Sequence, residues 1–245
     1  IKLRGIISQG LVIKPEIVDI HKYKLGQDFT SYLGVTKYEP PEKLPNAYGV
    51  CNKIKKMYLN SNFNKYTDIK NIKNHPKVFE EGEQVYISCK LHGTSFRAGW
   101  VENEANTIWK KVKKFFGLLT KWEFIIGSRN TQLTYGNKDK TFYKENVYTK
   151  TAEELDLKSK LKFGEVLYGE IIGYGIQGGY EYGCIEGETK LYAYDIMMNN
   201  KWLDYEDFRN FCEERCIRII PLLYVGPYNK MIVEECTRGN SIIDP

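Results

Sequence analysis

The stretch that decides the fold is VYISCKLHGTSFRAGWV, residues 85–101. Its first part, residues 85–90, and its last part, residues 94–101, are rich in β-branched and aromatic residues, which is typical of strands. Gly93 lies between the two parts and indicates a turn. The stretch therefore predicts two strands joined by a short connection, with Lys90 at the end of the first strand.

Lys90 is the first candidate for chemistry. A lysine at the end of an apolar strand can face a pocket of low polarity, where loss of its proton frees a lone pair for attack on phosphorus. Gly93, three residues later, leaves room for a phosphate to approach the backbone. The alternative is a surface lysine before a turn. For an isolated Lys-x-x-Gly that alternative is the commoner case, so other motifs must decide.

Glu170 lies in VLYGEIIG, residues 166–173, between apolar strand residues and two glycines. A carboxylate in such a setting is costly unless it binds a hydroxyl, a cation or a metal. An edge-strand glutamate that faces water would explain the pattern equally well. The segment is therefore a candidate site only in combination with others.

Two more segments supply candidate binding groups. In LYAYDI, residues 191–196, Tyr192 and Tyr194 alternate along a strand and share a face. A ring there can stack on a purine, which is worth roughly 1–3 kcal/mol, although core packing is the usual fate of such tyrosines. In GSRN, residues 127–130, Arg129 ends a strand and can donate to ribose or phosphate. A plain turn arginine is the alternative.

The rest of the chain mixes strands with helices. Further strands are predicted at residues 3–13 (interrupted at glycines), 124–128, 165–172, 191–197 and 219–225. Helical segments are predicted at 107–122, 151–162 and 204–215, and residues 64–75 are predicted to be helical or turn-rich. The proline-containing stretch from Lys14 to about Asn62 has no long period and is predicted to be a connector. Strands with intervening helices favour an α+β fold with largely antiparallel sheets flanked by helices.

The lysine-rich segment 107–122 is the most amphipathic of these. Its apolar residues at helical spacing are Ile108, Val112, Phe115 and Leu119, and its lysines lie largely elsewhere. We expect a helix that packs on the core and leaves its lysines in solvent, where they can join a basic surface. The alternative is a helix that lies on a membrane surface.

Charge and cysteine content narrow the class of protein. The net charge is +5 and the pI is about 8.7, which fits a polyanionic partner without requiring one. The six cysteines are scattered, and Cys212 and Cys216 have no second pair to complete a zinc site. Reduced thiols in an intracellular, cytoplasmic protein are the simplest interpretation. No apolar run is long enough for a transmembrane helix.

In this order and at these intervals, KLHGTSF, GSRN, LYGEIIG and LYAYDI resemble motifs I, Ia, III and IIIa of the covalent nucleotidyltransferases. That superfamily contains DNA ligases, RNA ligases and capping guanylyltransferases. His92 favours one branch of RNA ligases, which has Lys-x-His-Gly where DNA ligases and capping enzymes usually have Asp after the lysine. The opening LRGIISQGL, residues 3–11, resembles the segment that joins an N-terminal OB-type domain to the ligase domain in Deinococcus- and Naegleria-type RNA ligases.

The resemblance implies a nucleotidyltransferase (ATP-grasp-like ligase) domain. It divides the chain into the end of an N-terminal OB-type domain at 1–13, a connector at 14–63 and the ligase domain at 64–245. Motifs IV and V of the family are not found, so the chain is expected to be truncated at both ends. Two residues depart from the family pattern: Cys89 stands where a glutamate often contacts adenine, and Ser95 where several relatives have asparagine.

The resemblance also implies a role for each site residue. Lys90 would carry AMP, Arg129 would contact ribose or the RNA end, and Tyr194 would stack on adenine. Glu170 would serve the ribose hydroxyls or a metal-bound water, and His92 would act after the first step. The implied activity is an ATP-dependent RNA ligase that uses Mg²⁺ or Mn²⁺ on nicked RNA duplexes or RNA ends, as a monomer away from membranes. A DNA ligase, a capping-type enzyme and a non-catalytic RNA-binding relative are the alternatives.

Overall fold

The computed structural model describes residues 2–3, 6–7, 26–29, 32, 34, 60–105, 108–135, 146–178, 180–239 and 241–243. The chain divides into two compact units, Ile1–Asn46 and Ala47–Pro245. In the first unit, strands β1 (Lys2–Leu3) and β2 (Ile6–Ile7) pair antiparallel within the predicted strand region. Residues 8–25 and 35–59, and with them most of the predicted connector, lie outside the described residues. The predicted domain boundaries therefore stay a prediction.

The second unit contains most of the described elements. In chain order they are a 3-10 helix (Ile72–Asn74), β3 (Gln84–Ser88), β4 (Thr94–Glu102), α1 (Ile108–Phe115), β5 (Trp122–Gly127), β6 (Gln132–Thr134), α2 (Val147–Glu154), α3 (Leu157–Lys160), β7 (Glu165–Gly173), β8 (Thr189–Met198), β9 (Lys201–Trp202), α4 (Tyr205–Glu214), β10 (Leu222–Pro227) and α5 (Lys230–Glu235). Six strands form one sheet in the order β6-β5-β4-β7-β8-β9, and β3 pairs with β10 in a smaller sheet. Every ladder between these strands is antiparallel, which confirms the predicted α+β class.

The large sheet has two different faces because strand residues alternate in direction. One face packs on α2, α3 and α4 through fully buried side chains such as Phe96, Leu167 and Ala193. The residues between them point the other way. On that second face Tyr168 and Met197 form a smaller cluster with other buried residues, Phe63 among them. We call this the open face, since it carries the half-buried polar side chains described below.

Helix α1 is where the sequence prediction was wrong. No residue of α1 is buried, and Ile108, Trp109 and Phe115 are 80%, 78% and 85% exposed. The opposite side of the helix contacts the sheet, where Lys110 Nζ lies 2.8 Å from Glu123 Oε2 on β5. The apolar side of the helix faces solvent.

Smaller differences concern the ends of elements. β3 ends at Ser88, so Lys90 lies beyond the strand rather than at its end. The last strand, expected at 219–225, is β10, and it is followed by the unpredicted α5. Asp204 is the N-cap residue of α4, but its side chain makes no capping hydrogen bond. In the described ranges of the chain, no helix has the length and apolar character needed to cross a membrane.

Candidate active site

A β-bulge in β8 shapes the open face. Tyr168 on β7 pairs with Asp195, and the next residue, Gly169, pairs with Ala193, so Tyr194 is an extra residue in β8. A bulge breaks the strict alternation of side chains. Tyr194 and Asp195 are consecutive, yet both reach Tyr66: the two tyrosine rings are 4.8 Å apart, and Tyr66 Oη donates to Asp195 Oδ2 at 3.0 Å. The bulge therefore places a ring and a carboxylate side by side.

Tyr194 is held from two directions. Its hydroxyl lies 3.5 Å from the Ser95 hydroxyl on β4, and Tyr66 packs edge-on against its ring. Burial raises the pKa of the Tyr194 hydroxyl and outweighs the hydrogen bond from Ser95, which lowers it. The ring is thus a fixed, neutral surface on the open face. Tyr192 is half-buried and pairs with Glu170 in the ladder.

Glu170 joins the open face to the connection between β3 and β4. Its Oε1 accepts the Gly93 backbone N–H at 3.0 Å. Burial raises the pKa of this carboxyl, while the Gly93 N–H and the charges of Lys90 and Arg129 pull the pKa down without cancelling the effect of burial. Two predicted cations therefore act electrostatically on the predicted carboxylate, so the fold brings Lys90, Arg129 and Glu170 together.

Gly93 is required by close packing in this connection. A Cβ atom built on Gly93 would lie 2.2 Å from the Ile171 carbonyl oxygen and 2.9 Å from Ile172 Cγ2. Since real contacts of this kind are longer, no other residue fits without moving the backbone. Gly93 thus lets the connection lie against β7. Lys90 itself is exposed and lines a largely apolar cleft of about 1030 Å³ beside β3.

Arg129 projects from the turn after β5. It is exposed and forms an ion pair with Asp68. Arg97 on β4 stabilises this turn. Its Nε donates to the Ser128 carbonyl at 2.9 Å, and its Nη1 donates to the Phe63 carbonyl at 2.7 Å. Arg97 is only 3% exposed, and it was not singled out from the sequence. The feature of the sequence that could have indicated Arg97 is that it is a single charged residue within the apolar run 94–101.

His92 is exposed and is contacted by the glycine-rich segment between β7 and β8. Its backbone N–H donates to the Tyr182 hydroxyl at 2.9 Å, and its ring lies 4.8 Å from the Tyr180 ring. Sequence reasoning missed both tyrosines, because a glycine-rich turn carries no pattern that predicts what it contacts. All five predicted site residues lie around the open face or on the connections at its edge.

A divalent cation would have one protein carboxylate available here. Glu170 Oε1 is engaged by Gly93, and its Oε2 accepts no hydrogen bond in the part of the chain that the structure describes. Among those residues there is no group of three or more His, Cys, Asp and Glu that could hold a metal. One carboxylate still fits Mg²⁺, which proteins commonly bind through one or two carboxylates together with substrate phosphates.

The chain is similar to known RNA ligases in sequence pattern and in fold. The family model described as RNA ligase matches residues 83–244. No curated protein sequence matches the chain. A solved structure of a Naegleria gruberi RNA ligase lysine-to-alanine mutant with ATP and Mn is similar at a TM-score of 0.60 and 21% identity, over 96% of this chain and 63% of that one. The same ligase with PPi gives a TM-score of 0.59 and 21% identity, over 94% and 61%.

These likenesses establish the fold, which is that of the Naegleria gruberi RNA ligase structures. The chain spans about 63% of the length of the first of these ligases. The matched region, residues 83–244, contains the connection with Lys90, the turn with Arg129 and strands β7 and β8 with Glu170 and Tyr194. The chain belongs to the RNA ligase family.

Proposed function

We propose that this chain is the core of an ATP-dependent RNA ligase that carries AMP covalently on Lys90. The observation that supports it best is the hydrogen bond from Gly93 N–H to Glu170, which holds the Lys90 connection against the open face. The three residue types that attack phosphorus, bind hydroxyls and neutralise phosphate meet at one edge of one sheet.

The adenosine part of ATP would lie on the open face. Tyr194 offers a fixed ring on which a purine can stack. Glu170 would accept hydrogen bonds from ribose hydroxyls, and Arg129 would donate to ribose or phosphate. Cys89 and Ser95 replace the family's usual glutamate and asparagine, so contacts to the adenine amine would come from elsewhere.

In the first step Lys90 Nζ, after losing a proton, attacks the α-phosphorus of ATP. A P–N bond forms, the bond to the bridging oxygen breaks, and pyrophosphate leaves with the electron pair. Bound Mg²⁺ or Mn²⁺ would neutralise charge on the phosphates. Within the protein, the Gly93–Glu170 contact would fix the backbone of the connection from which the Lys90 side chain must reach the nucleotide.

The lysyl-AMP would then pass to the 5′-phosphate of an RNA, and a 3′-hydroxyl would displace AMP to seal the strand. His92 stands beside Lys90 and is exposed, which suits a role in these later steps. Nicked duplexes and RNA ends are both candidate substrates. Phosphate contacts would come from a basic surface, in keeping with the net charge of +5.

Two further expectations belong to this proposal. The protein acts as a monomer, and it works in the cytoplasm away from membranes. Of the other functions considered, a DNA ligase or a capping-type enzyme fits His92 less well than an RNA ligase. A non-catalytic RNA-binding relative would keep the fold and lack adenylylation.

The test is adenylylation of Lys90. Incubation with α-labelled ATP and Mg²⁺ should label the protein, and the label should survive denaturation because it is covalent. Lys90→Ala should abolish labelling, whereas the control Lys111→Ala, which alters an exposed lysine on α1, should label like the unaltered protein. Labelling of Lys90→Ala would end the proposal. Sealing of a nicked RNA duplex against a nicked DNA duplex then separates the RNA ligase from its DNA-joining relatives.

A further inference from the structure

The loop between β7 and β8, residues 174–188, packs on the connection that carries Lys90. It makes three contacts there. The Tyr182 hydroxyl accepts the His92 N–H at 2.9 Å, the Tyr180 ring lies 4.8 Å from the His92 ring, and Gln177 Nε2 donates to the Gly93 carbonyl at 3.2 Å. The loop thus holds the backbone of residues 92–93 through the His92 N–H and the Gly93 carbonyl.

This loop is anchored in the protein rather than free at its tip. Ile176 and Cys184 are 7% and 5% exposed, and Ile176 belongs to the main core. At its far end the loop is closed by a turn in which Glu188 accepts the Ile185 N–H at 3.2 Å. Lys150 on α2 also donates to the Gly187 carbonyl at 2.9 Å. These anchors give Tyr180 and Tyr182 defined positions.

Tyr182 adopts a backbone conformation that residues other than glycine rarely use, with φ at +51°. Such conformations persist where surrounding contacts fix them, and they cluster at functional sites. Here the left-handed turn lets the side chain reach the His92 peptide. Gly183, the next residue, is also left-handed, with φ at +67°.

We propose that Tyr182 is a positioning residue for adenylylation. By accepting the His92 N–H, it fixes the peptide two residues after Lys90 and so the direction in which the Lys90 side chain leaves the backbone. Tyr180 supports it by restricting the His92 ring, and Gln177 by holding the Gly93 carbonyl. The three residues form what we call the β7–β8 clamp. Its catalytic consequence rests on the proposed function, whereas its existence does not.

The decisive variant is Tyr182→Phe, which keeps the ring and removes only the accepting oxygen. Exchange of the His92 backbone amide, followed by NMR, should become about fivefold faster, the size expected for one net hydrogen bond. At saturating ATP, lysyl-AMP formation should slow by a similar factor, about fivefold, with the KM for ATP unchanged, because Tyr194, Glu170 and Arg129 are not touched.

The matched control is Tyr174→Phe in the same loop. Tyr174 is 42% exposed, and its hydroxyl makes no hydrogen bond within the described ranges. This variant should leave amide exchange, lysyl-AMP formation and the midpoint of thermal unfolding unchanged. Tyr182→Phe should lower the unfolding midpoint by no more than about 2–4 °C, the shift expected for the loss of one net hydrogen bond.

The outcomes separate the two proposals. Unchanged exchange of the His92 amide in Tyr182→Phe would show that the clamp does not exist. Faster exchange with an unaltered rate of lysyl-AMP formation would show that the clamp has no role in positioning Lys90. A higher KM for ATP at an unchanged maximal rate would likewise overturn positioning, because the residue would then act on ATP binding. A protein that forms no lysyl-AMP at all would refute the proposed function, and the exchange measurement would still decide on the clamp.

Discussion

Replacing Gly93 with alanine tests whether the Lys90 connection must lie against β7. The new Cβ would lie 2.2 Å from the Ile171 carbonyl oxygen, whereas close carbon–oxygen contacts in proteins are about 3.3 Å long. The difference of about 1 Å must be taken up by movement. Strand β7 is paired on both sides, with β4 and β8, so it is the connection that moves away.

The size of the effect follows from this displacement. A shift of that size would break the 3.0 Å hydrogen bond from Gly93 N–H to Glu170 and carry Lys90 out of line with the phosphate. A hydrogen bond to a charged group contributes about 1.5–3 kcal/mol, which is about 10- to 150-fold in rate. Misplacement of a reacting group by about 1 Å costs about 100-fold. Both estimates describe one movement, so the expected loss is about 100-fold in total.

The assay is single-turnover formation of lysyl-AMP from labelled ATP, together with thermal unfolding. The control is Gly178→Ala, because a Cβ at Gly178 meets nothing within 4 Å. Gly93→Ala should form lysyl-AMP slowly and should lose about 1.5–3 kcal/mol of unfolding free energy, the contribution of the broken hydrogen bond, whereas Gly178→Ala should change neither. A rate within a few fold of the unaltered protein would show that the connection does not need to pack against β7.

Two further predictions concern the open face. Tyr194→Leu should weaken ATP binding by about 1–3 kcal/mol, read from the ATP dependence of lysyl-AMP formation, while Tyr192→Leu should weaken it less; the reverse order would mean that Tyr192 is the purine platform. Glu170→Gln should change how stability depends on pH. Burial raises the pKa of Glu170 above its unfolded value. The contribution of Glu170 to the free energy of unfolding is therefore fully present below the unfolded pKa and is lost as pH rises through the folded pKa. The free energy of unfolding of the variant, measured by denaturant, should therefore increase relative to that of the unaltered protein as pH rises from the acid range to neutrality. The same variant should still hold Gly93, since an amide oxygen also accepts a hydrogen bond, but it should adenylylate poorly. A constant stability difference across that pH range would show that Glu170 is not desolvated in the folded protein.

The sequence was sufficient to predict the strands and turns that depend on neighbouring residues. Stretches rich in apolar, β-branched and aromatic residues predicted β4, β7 and β8, and Gly93 predicted the turn before β4, because side-chain sterics and backbone freedom act over a few residues. The order of the four motifs then indicated the family. The region matched by the RNA ligase family model contains all four.

The tertiary structure decided what depends on contacts between distant residues. Helix α1 has the pattern of a core helix, yet Lys110 is tied to Glu123 on β5 and its apolar side faces out. The pairing of Tyr168 with Asp195 and of Gly169 with Ala193 creates the bulge that sets Tyr194 beside Asp195. A periodic pattern specifies which side of an element is apolar, but the partner that each side meets depends on the rest of the fold.

The same distinction applies at the site. The sequence alone determined which residue types are available, and it singled out Lys90, His92, Arg129, Glu170 and Tyr194. Only the folded chain brings Tyr182 to the His92 amide across 90 residues and Glu170 to the Gly93 amide across 77. The buried Arg97 beneath the turn that carries Arg129 was likewise visible only in the structure. Such contacts are set by strand pairing and close packing between segments that are remote in sequence, and no local pattern records them.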